Sequence, residues 1–347
     1  MTTIKDVARL AGVSTATVSH VLNNTRFVRD QTRTRVLLAI EELGYRPNIV
    51  AKSLRSRKTG TVGLIFCDLK SPFFSDLFQG IETFLGKKGF DLLVTNTGYD
   101  IKKEREACEL FFSKQVDGII LVPGKDTGEH VKFLVERNFP LVLLDKELRS
   151  LRVDVVLVNN FQGSKSAVEY MVSLGHRKIA IISGPQDTST GRHRLEGYYQ
   201  AMKESGIPVD SNLVKIADFL EEGGHQAVCE LLDTIDPPTA IYACNSPMAM
   251  GALRAFQERS VRIGKDVGFV VFDDLPWFRF VDPPLTAVAQ PSFTLGETAA
   301  QLLTSSILKK HKKPKKIVLD VELQVRRSAW KGGLEYNHKG ISIPNIY

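Results

Sequence analysis

The chain has few cysteines, no long apolar run and none of the common catalytic motifs. Its four cysteines, Cys67, Cys108, Cys229 and Cys244, lie far apart with no C-x-x-C spacing. That argues against a disulfide framework or a zinc ribbon and for buried thiols in a reducing compartment. No stretch approaches the roughly 18 apolar residues of a membrane span. Met1 to Asp6 lack the apolar core of a secretory signal, so the expected location is the cytoplasm, with no membrane partner. G-x-S-x-G, Walker A and H-E-x-x-H patterns are missing, and His176, His193 and His225 do not have metal-ligand spacing. The expectation is a protein that is not an enzyme, with no catalytic residues, no metal and no cofactor. Residues 331–347 show no leucine heptad, which argues against a C-terminal coiled coil.

What is present is a sharp asymmetry of charge. Residues 1–60 hold eleven Lys/Arg against four Asp/Glu, a net +7, while residues 61–347 hold thirty-five of each sign and sum to zero. A small basic module fused to a large neutral body points to a phosphate-binding head on a body with another task. At 347 residues the chain is too long for one core. The 43% hydrophobic and 24% charged content is that of ordinary folded proteins, so disorder is not the expectation.

In the head, Thr3 and Asp6 stand three apart before Ile4, Val7, Ala8 and Ala11, the signature of a capped helix. Gly12 permits a tight left-handed turn, and Ser14 can cap a second helix beginning at Thr15. Val18, Val21 and Leu22 face back onto the first helix, and Thr15, Ala16, Ser19 and His20 point away. Two short helices crossing at small residues describe a helix-turn-helix, whose second helix enters the major groove by its N-terminal end. A third helix is predicted over Thr32–Leu43, its buried face formed by Val36, Leu37, Ile40 and Leu43. Ile49–Arg55 could add one or two helical turns, too few to be stable alone. Ser56–Gly60 reads as a polar linker.

From Thr61 onward, short apolar runs alternate with helical patterns. Strands are predicted at Val62–Cys67, Leu92–Asn96, Gly118–Val122, Leu141–Asp145, Val153–Val158, Ile179–Gly184, Ala240–Cys244 and Val267–Phe272. Helices are predicted over Phe74–Lys87, Lys102–Lys114, Gly163–Leu174, Arg192–Glu204 and Met248–Gln257. The run Lys309–Lys316 reads as a solvated loop before a further strand, Ile317–Leu323. The fold class is therefore α/β: a helix-turn-helix domain plus two doubly wound parallel-sheet lobes. Ligands of such sheets sit beyond the C-terminal strand ends. Those ends carry Ser71, Phe73, Phe74, Asp145, Phe161, Asn245, Asp273 and Gln290, with Phe219 and Arg194 in connecting segments. Aromatics mixed with carboxylates, amides and a guanidinium suit a small polyhydroxylated ring.

The stretches TIKDVARLAGVSTATVSHVLN, TRTRVLLAIEELGYRPN and AKSLRSRKTGTVGLIF closely resemble the head of the LacI/GalR family of bacterial transcription regulators. STATVSHVLNNTRFV is especially similar to the purine and ribose repressors of that family. The resemblance implies that Thr15, Ala16 and His20 face base edges with Arg26 nearby, and that Ser14, Thr17 and Ser19 lie near phosphates. It also implies that Leu54 wedges into the minor groove with Arg55 beside it. The likeness continues to about Trp330 as a two-lobed body similar to periplasmic sugar-binding proteins. KSPFF, GRHRLEGY, ACNSPMAMGAL, VFDD and PPLTAVAQP fall on its ligand-binding loops. Two departures stand out: Asn245-Ser246 where the family usually has Asn-Asp, and Asn159-Asn160 where it has Asp-Asn.

The implied domains are a DNA-binding domain at 1–47, a hinge helix and linker at 48–60, an effector and dimerisation body at 61–330, and a tail at 331–347. The implied function is a ligand-responsive repressor, bound as a homodimer to a pseudo-palindromic double-stranded operator. Its expected effector is a sugar or sugar derivative; a purine base or nucleoside is the alternative. A sugar-binding transport module is the rival from another class.

Overall fold

The computed structural model describes residues 2–24, 26–45, 58–309 and 313–330. The chain divides into two compact units, residues through Thr59 and residues from Gly60 onward. The predicted Ile49–Arg55 helix, with Leu54 and Arg55, lies outside the described residues, as do 310–312 of the basic run and the tail.

In the first unit, α1 (Ile4–Ala11) begins where the Asp6 carboxylate accepts hydrogen bonds from the Thr3 N–H at 2.9 Å and its hydroxyl at 2.6 Å. It ends at Gly12, whose φ of +63° lets the Val13 N–H reach the Ala8 carbonyl at 3.0 Å. Ser14 Oγ caps α2 (Thr15–Asn23) by accepting from the Thr17 N–H at 3.1 Å. With α3 (Asp30–Glu42), these helices enclose Val7, Ala8, Ala11, Val18, Val21, Val36 and Ala39, side chains small enough for short helices to meet closely. The buried face predicted for α3 is corrected at one place: Leu37 is 50% exposed, and Ala39 takes the inward position. Residues 36, 39, 40 and 43 share a helical stripe, whereas each step along the chain turns a side chain by about 100° and carries Leu37 off it.

The second unit holds two six-stranded sheets. The first contains β1 (Thr61–Phe66), β2 (Asp91–Asn96), β3 (Gly118–Leu121), β4 (Leu141–Leu144), β5 (Asp154–Val158) and β11 (Lys316–Leu319), ordered β11-β5-β4-β3-β1-β2 and parallel throughout. One face packs on α4 (Pro72–Lys87) and α11 (Ser292–Lys309), the other on α5 (Ile101–Ser113) and α6 (Lys132–Glu136). The second sheet contains β6 (Ile179–Ser183), β7 (Val214–Ile216), β8 (Ala240–Ala243), β9 (Gly268–Phe272), β10 (Thr286–Ala289) and β12 (Glu322–Gln324), ordered β12-β10-β9-β8-β6-β7. It is parallel except for β12, which runs against β10. Its core includes side chains of α7 (Asn160–Ser173), α8 (Ser189–Glu204), α9 (Glu221–Leu232) and α10 (Ser246–Glu258). Strands buried on both faces are why these runs are continuously apolar rather than alternating.

Four short strands, β7, β10, β11 and β12, escape the pattern of long apolar runs. The single strand predicted at Ile317–Leu323 is two: β11 pairs with β5 in one sheet and β12 with β10 in the other. Between them Val321 packs against both cores. The chain thus crosses between lobes three times, after β5, β10 and β11. Several helices start earlier than predicted because local caps extend them: Pro72 occupies the first turn of α4, and the Thr188 and Asn245 side chains accept backbone N–H groups at α8 and α10. Among the described residues no helix is long and apolar enough to cross a membrane.

Candidate DNA-reading surface and ligand cleft

On the head, Thr15, Ala16, Ser19 and His20 of α2 line one groove with Ile4 and Lys5 of α1. The amphipathic split of α2 causes this: Val18 and Val21 turn inward, and short polar side chains are left on the opposite face. Ser14 and Thr17 sit at the helix start, their hydroxyl oxygens 3.0 Å apart. Arg26 is exposed.

In the body, the C-terminal strand ends of both sheets open into one cleft. Ser71, Phe73, Phe74, Asp145, Arg194, Phe219, Asn245, Asp273 and Gln290 line it, together enclosing about 370 Å³ of empty space that includes the open mouth. Phe161 is not among the residues lining this space. Its neighbour Asn160 is buried facing Arg194, which turns Phe161 outward to 36% exposure. Three further residues join the lining: Tyr99, Lys146 and Thr190. Tyr99 and Lys146 follow β2 and β4 and obey the strand-end rule, whereas Thr190 comes from the first turn of α8 and carries no comparable signal.

Several of the polar side chains are held by definite partners. Arg194 donates from Nε to Asn160 Oδ1 at 2.7 Å and from Nη1 to the Cys244 carbonyl, while its guanidinium lies 3.6 Å from the centre of the Phe272 ring. Asp273 Oδ2 accepts from the Ser246 N–H and hydroxyl, both at 3.0 Å, and Oδ1 accepts from Gln290 Nε2 at 2.6 Å. Burial pushes the Asp273 carboxyl above its ordinary range, with Arg194, Gln290 and Ser246 opposing. Asn245 caps α10 and donates to the Phe219 carbonyl at 2.9 Å. Burial likewise raises the thiol of Cys67, and that of Cys244 to about 12, so neither is a nucleophile near neutrality. Three buried polar atoms of the lining have no partner: Asp145 Oδ1, Thr190 Oγ1 and Gln290 Oε1.

Backbone strain gathers here as well. Among the described residues, eight other than glycine have positive φ. Asn24, Gln115, Asn138 and Ser260 lie just beyond helix ends, where a left-handed residue is ordinary. The other four, Tyr99, Asp145, Phe219 and Asp273, all line the cleft. Such conformations persist where the surroundings over-determine them, and they concentrate at functional sites. Phe219 shows how: its ring lies against Gly184, where a Cβ would sit 2.0 Å from it.

Contacts between the lobes fasten one rim of the cleft. Asp126, in the loop after β3, pairs across the lobes with Arg192 of α8 and within its own lobe with Arg149 at 2.8 Å. Lys125 meets Asp187 at 3.0 Å, the Asp126 N–H donates to the Asp187 carbonyl at 3.0 Å, and the Glu147 N–H donates to Ser189 Oγ at 3.1 Å.

Two family models match this chain. The model for bacterial regulatory proteins of the lacI family matches residues 3–48, and that for periplasmic binding proteins and the sugar binding domain of the LacI family matches residues 59–326. The chain belongs to the LacI family. Over 334 residues it is 37% identical to the HTH-type transcriptional repressor PurR of Klebsiella pneumoniae subsp. pneumoniae, covering 96% of this chain and 98% of that one. It is 35% identical over 330 residues to the ribose operon repressor of Haemophilus influenzae, covering 95% and 99%. The crystal structure of the lac repressor dimer bound to operator and the anti-inducer ONPF is similar with a TM-score of 0.83 and 28% identity, covering 95% and 99%. Both of these sequence relatives are named as repressors.

The two departures from the usual LacI-family pattern now have physical consequences. With an Asp at position 246, two carboxylates would face each other; Ser246 instead gives Asp273 two donors. Asn160 matches the family's Asn and its amide anchors Arg194, while Asn159, in place of the family's Asp, accepts the Gln162 N–H at 3.1 Å as the cap of α7. Ser246 thus holds a lining residue and Asn159 caps a helix, and neither lines the cleft itself.

Proposed function

We propose that this chain is a ligand-responsive transcriptional repressor that binds a pseudo-palindromic operator as a homodimer, in the cytoplasm, with a sugar or sugar derivative as effector. One observation carries the reading: a single chain joins a basic helix-turn-helix head to a two-lobed cleft lined by aromatics and unpartnered polar atoms. A dimer would set two copies of α2 in successive major grooves, about 34 Å apart. Thr15, Ala16 and His20 would meet base edges with Arg26 close by, and Ser14, Thr17 and Ser19 would meet phosphates. Leu54 and Arg55 would enter the minor groove. Both sequence relatives and the lac repressor dimer on its operator support this.

For the effector, the rings of Phe73, Phe74 and Phe219 offer apolar surface for the faces of a sugar. Its hydroxyls would donate to Asp145 Oδ1 and Gln290 Oε1. Effector binding would bias the lobes between two arrangements, a coupling typically worth about 1–3 kcal/mol in operator affinity. A purine base or nucleoside is the second reading, favoured by the 37% identity to PurR and by the same flat rings. Gel shifts on family-type palindromes, with and without ligand, test the repressor reading; no sequence-specific shift on any palindrome overturns it. Calorimetry with sugars and nucleobases separates the two effector classes.

A further inference from the structure

We propose that the cleft selects uncharged ligands carrying at least two hydrogen-bond donors, and that Lys146 sets this selectivity by balancing and positioning Asp145. The proposal deepens the effector reading above and rests on it.

Four charged side chains line the cleft, Asp145, Lys146, Arg194 and Asp273, two of each sign. All are nine-tenths buried or more. Both cations are held by acceptors within the protein. Lys146 Nζ donates to Cys67 Sγ at 3.2 Å and to the Pro123 carbonyl at 3.1 Å, lies 3.8 Å from Asp145 Oδ2, and stands 5.3 Å from the centre of the Tyr99 ring. Two of the ammonium's three hydrogens are thus donated within the protein, and its charge is balanced by the Asp145 carboxylate beside it. Arg194 has two of its three nitrogens engaged and its face on Phe272. Asp273 has both oxygens occupied.

The polar atoms still without partners have the opposite character. Asp145 Oδ1 and Gln290 Oε1 only accept, and Thr190 Oγ1 donates or accepts. A buried acceptor left unpaired is costly, so the complementary ligand brings donors. An anionic ligand finds both cations already balanced by buried carboxylates and held by protein acceptors, and meets an unpaired carboxylate oxygen. A cationic ligand would make the cleft net positive, because Lys146 already neutralises Asp145. What remains complementary is a neutral molecule with hydroxyl or N–H groups.

Lys146 determines the outcome through Asp145, which makes it a positioning residue. The pair follows directly on β4, with Asp145 at a φ of +68°. The strained backbone aims one carboxylate oxygen at the cleft, and Lys146 lies beside the other. Without the ammonium, the cleft would carry one net negative charge and would favour a cation.

The test is calorimetry on the full-length protein at pH 7. The probes are D-ribose, D-glucose and D-galactose, their terminal phosphate esters, glucosamine and galactosamine, and hypoxanthine and inosine as neutral non-sugars. At least one neutral compound is expected to bind, more than about tenfold tighter than the charged counterparts. Tighter binding of a phosphate ester overturns the proposal. Binding of a neutral nucleobase but no sugar sustains it and overturns the sugar reading. Silence from every compound overturns it and leaves the repressor reading, tested by gel shift, standing. In Lys146→Met, and in Lys146→Gln should the first not fold, the glucosamine-to-glucose affinity ratio is expected to rise about tenfold. Lys146→Arg is expected to keep the original ratio. A uniform loss across all ligands with the ratio unchanged would make Lys146 merely structural and overturn its assignment.

Discussion

In the first sixty residues, eleven Lys and Arg face four acids, and the core is seven small side chains. In the rest of the chain the charges balance thirty-five to thirty-five, and those nearest the cleft are buried and lie against opposite charges or protein acceptors, with Asp145 Oδ1 left unpaired. The head keeps its chemistry on the outside, on one face of a helix, where unneutralised charge is useful because the partner is a polyanion. The body keeps its chemistry inside, where an unneutralised charge would be expensive and each carboxylate or cation must be held by others. Damage should differ accordingly. In the head a substitution changes what is bound while the fold persists; in the body the same kind of change also removes support from neighbours.

The sharpest way to break this contrast is Arg194→Ala. It strips Asn160 Oδ1 and the Cys244 carbonyl of their donor and leaves buried Asp273 without its opposing cation. Urea unfolding is expected to show the body destabilised by about 3 kcal/mol, with the effector-dependent change in operator binding lost. A stable variant that still responds to effector would mean that the cleft tolerates loss as the head does. In the head, His20→Ala should cost about 1–3 kcal/mol of discrimination between operator and random DNA, with little change in unfolding. Lys5→Ala, from the same groove, should weaken all sequences alike and reduce the salt slope of binding by about one. Equal losses on both DNAs for both variants would remove the assigned groove docking.

The same contrast explains what was legible in the sequence. The head is built from local signals: Thr3 with Asp6, Gly12, Ser14 and the 3.6-residue stripe are all within a few positions of the structure they cause. Leu37 misled because apolar identity alone does not place a residue on the stripe. In the body, the strand-end rule and the family resemblance pointed to nine residues that topology brings together from both lobes. Phe161 stands apart from these nine because one helical step separates it from the inward Asn160. Tyr99 and Lys146 obey the same rule as Asp145, but their roles rest on partners far away in sequence, Cys67 and Pro123 for Lys146. No local pattern encodes those meetings. Thr190 follows the Thr188 cap on a helix start, which in sequence reads only as a capping run. The short strands β7 and β10 were missed because so few residues hold little pattern, and β11 and β12 were read as one strand because Ile317–Leu323 gives no sign that its two ends join different sheets.

A smaller effect is expected at the cleft's rim. Asp126→Asn would release the pairings to Arg149 and Arg192 without touching a lining residue. The partners are partly exposed, so the loss should be about 1 kcal/mol, or about fivefold in effector affinity. It should appear mainly as faster effector dissociation in stopped-flow measurements, since the contacts hold the lobes once they have met. The head counterpart is Ser14→Ala, which removes the acceptor for the Thr17 N–H. A lost N-cap costs about 1 kcal/mol. The expected outcome is an earlier unfolding of the head and unchanged effector binding by the body.

The finest test sets two carboxylates against each other by pH. In the head, hydrogen bonds from Thr3 hold the Asp6 carboxyl below its ordinary value of 3.8. A group lowered in the folded state contributes stability that is present above the unfolded value and is lost as pH falls through the folded one. In the body, burial raises the Asp273 carboxyl above the same 3.8. Its sign is reversed: the protonated form is favoured on folding, so that contribution is full below 3.8 and fades as pH rises through the folded value. Stability measured against Asp6→Asn should therefore favour the parent protein near neutrality and converge in acid. Measured against Asp273→Asn, the parent should do best in acid and lose ground toward neutrality, because Asn carries no charge to bury. Parallel pH profiles for the two variants would mean that the cleft carboxylate is as well solvated as the one on the head, and the division between an outward-facing and an inward-facing chemistry would fail at its most direct point.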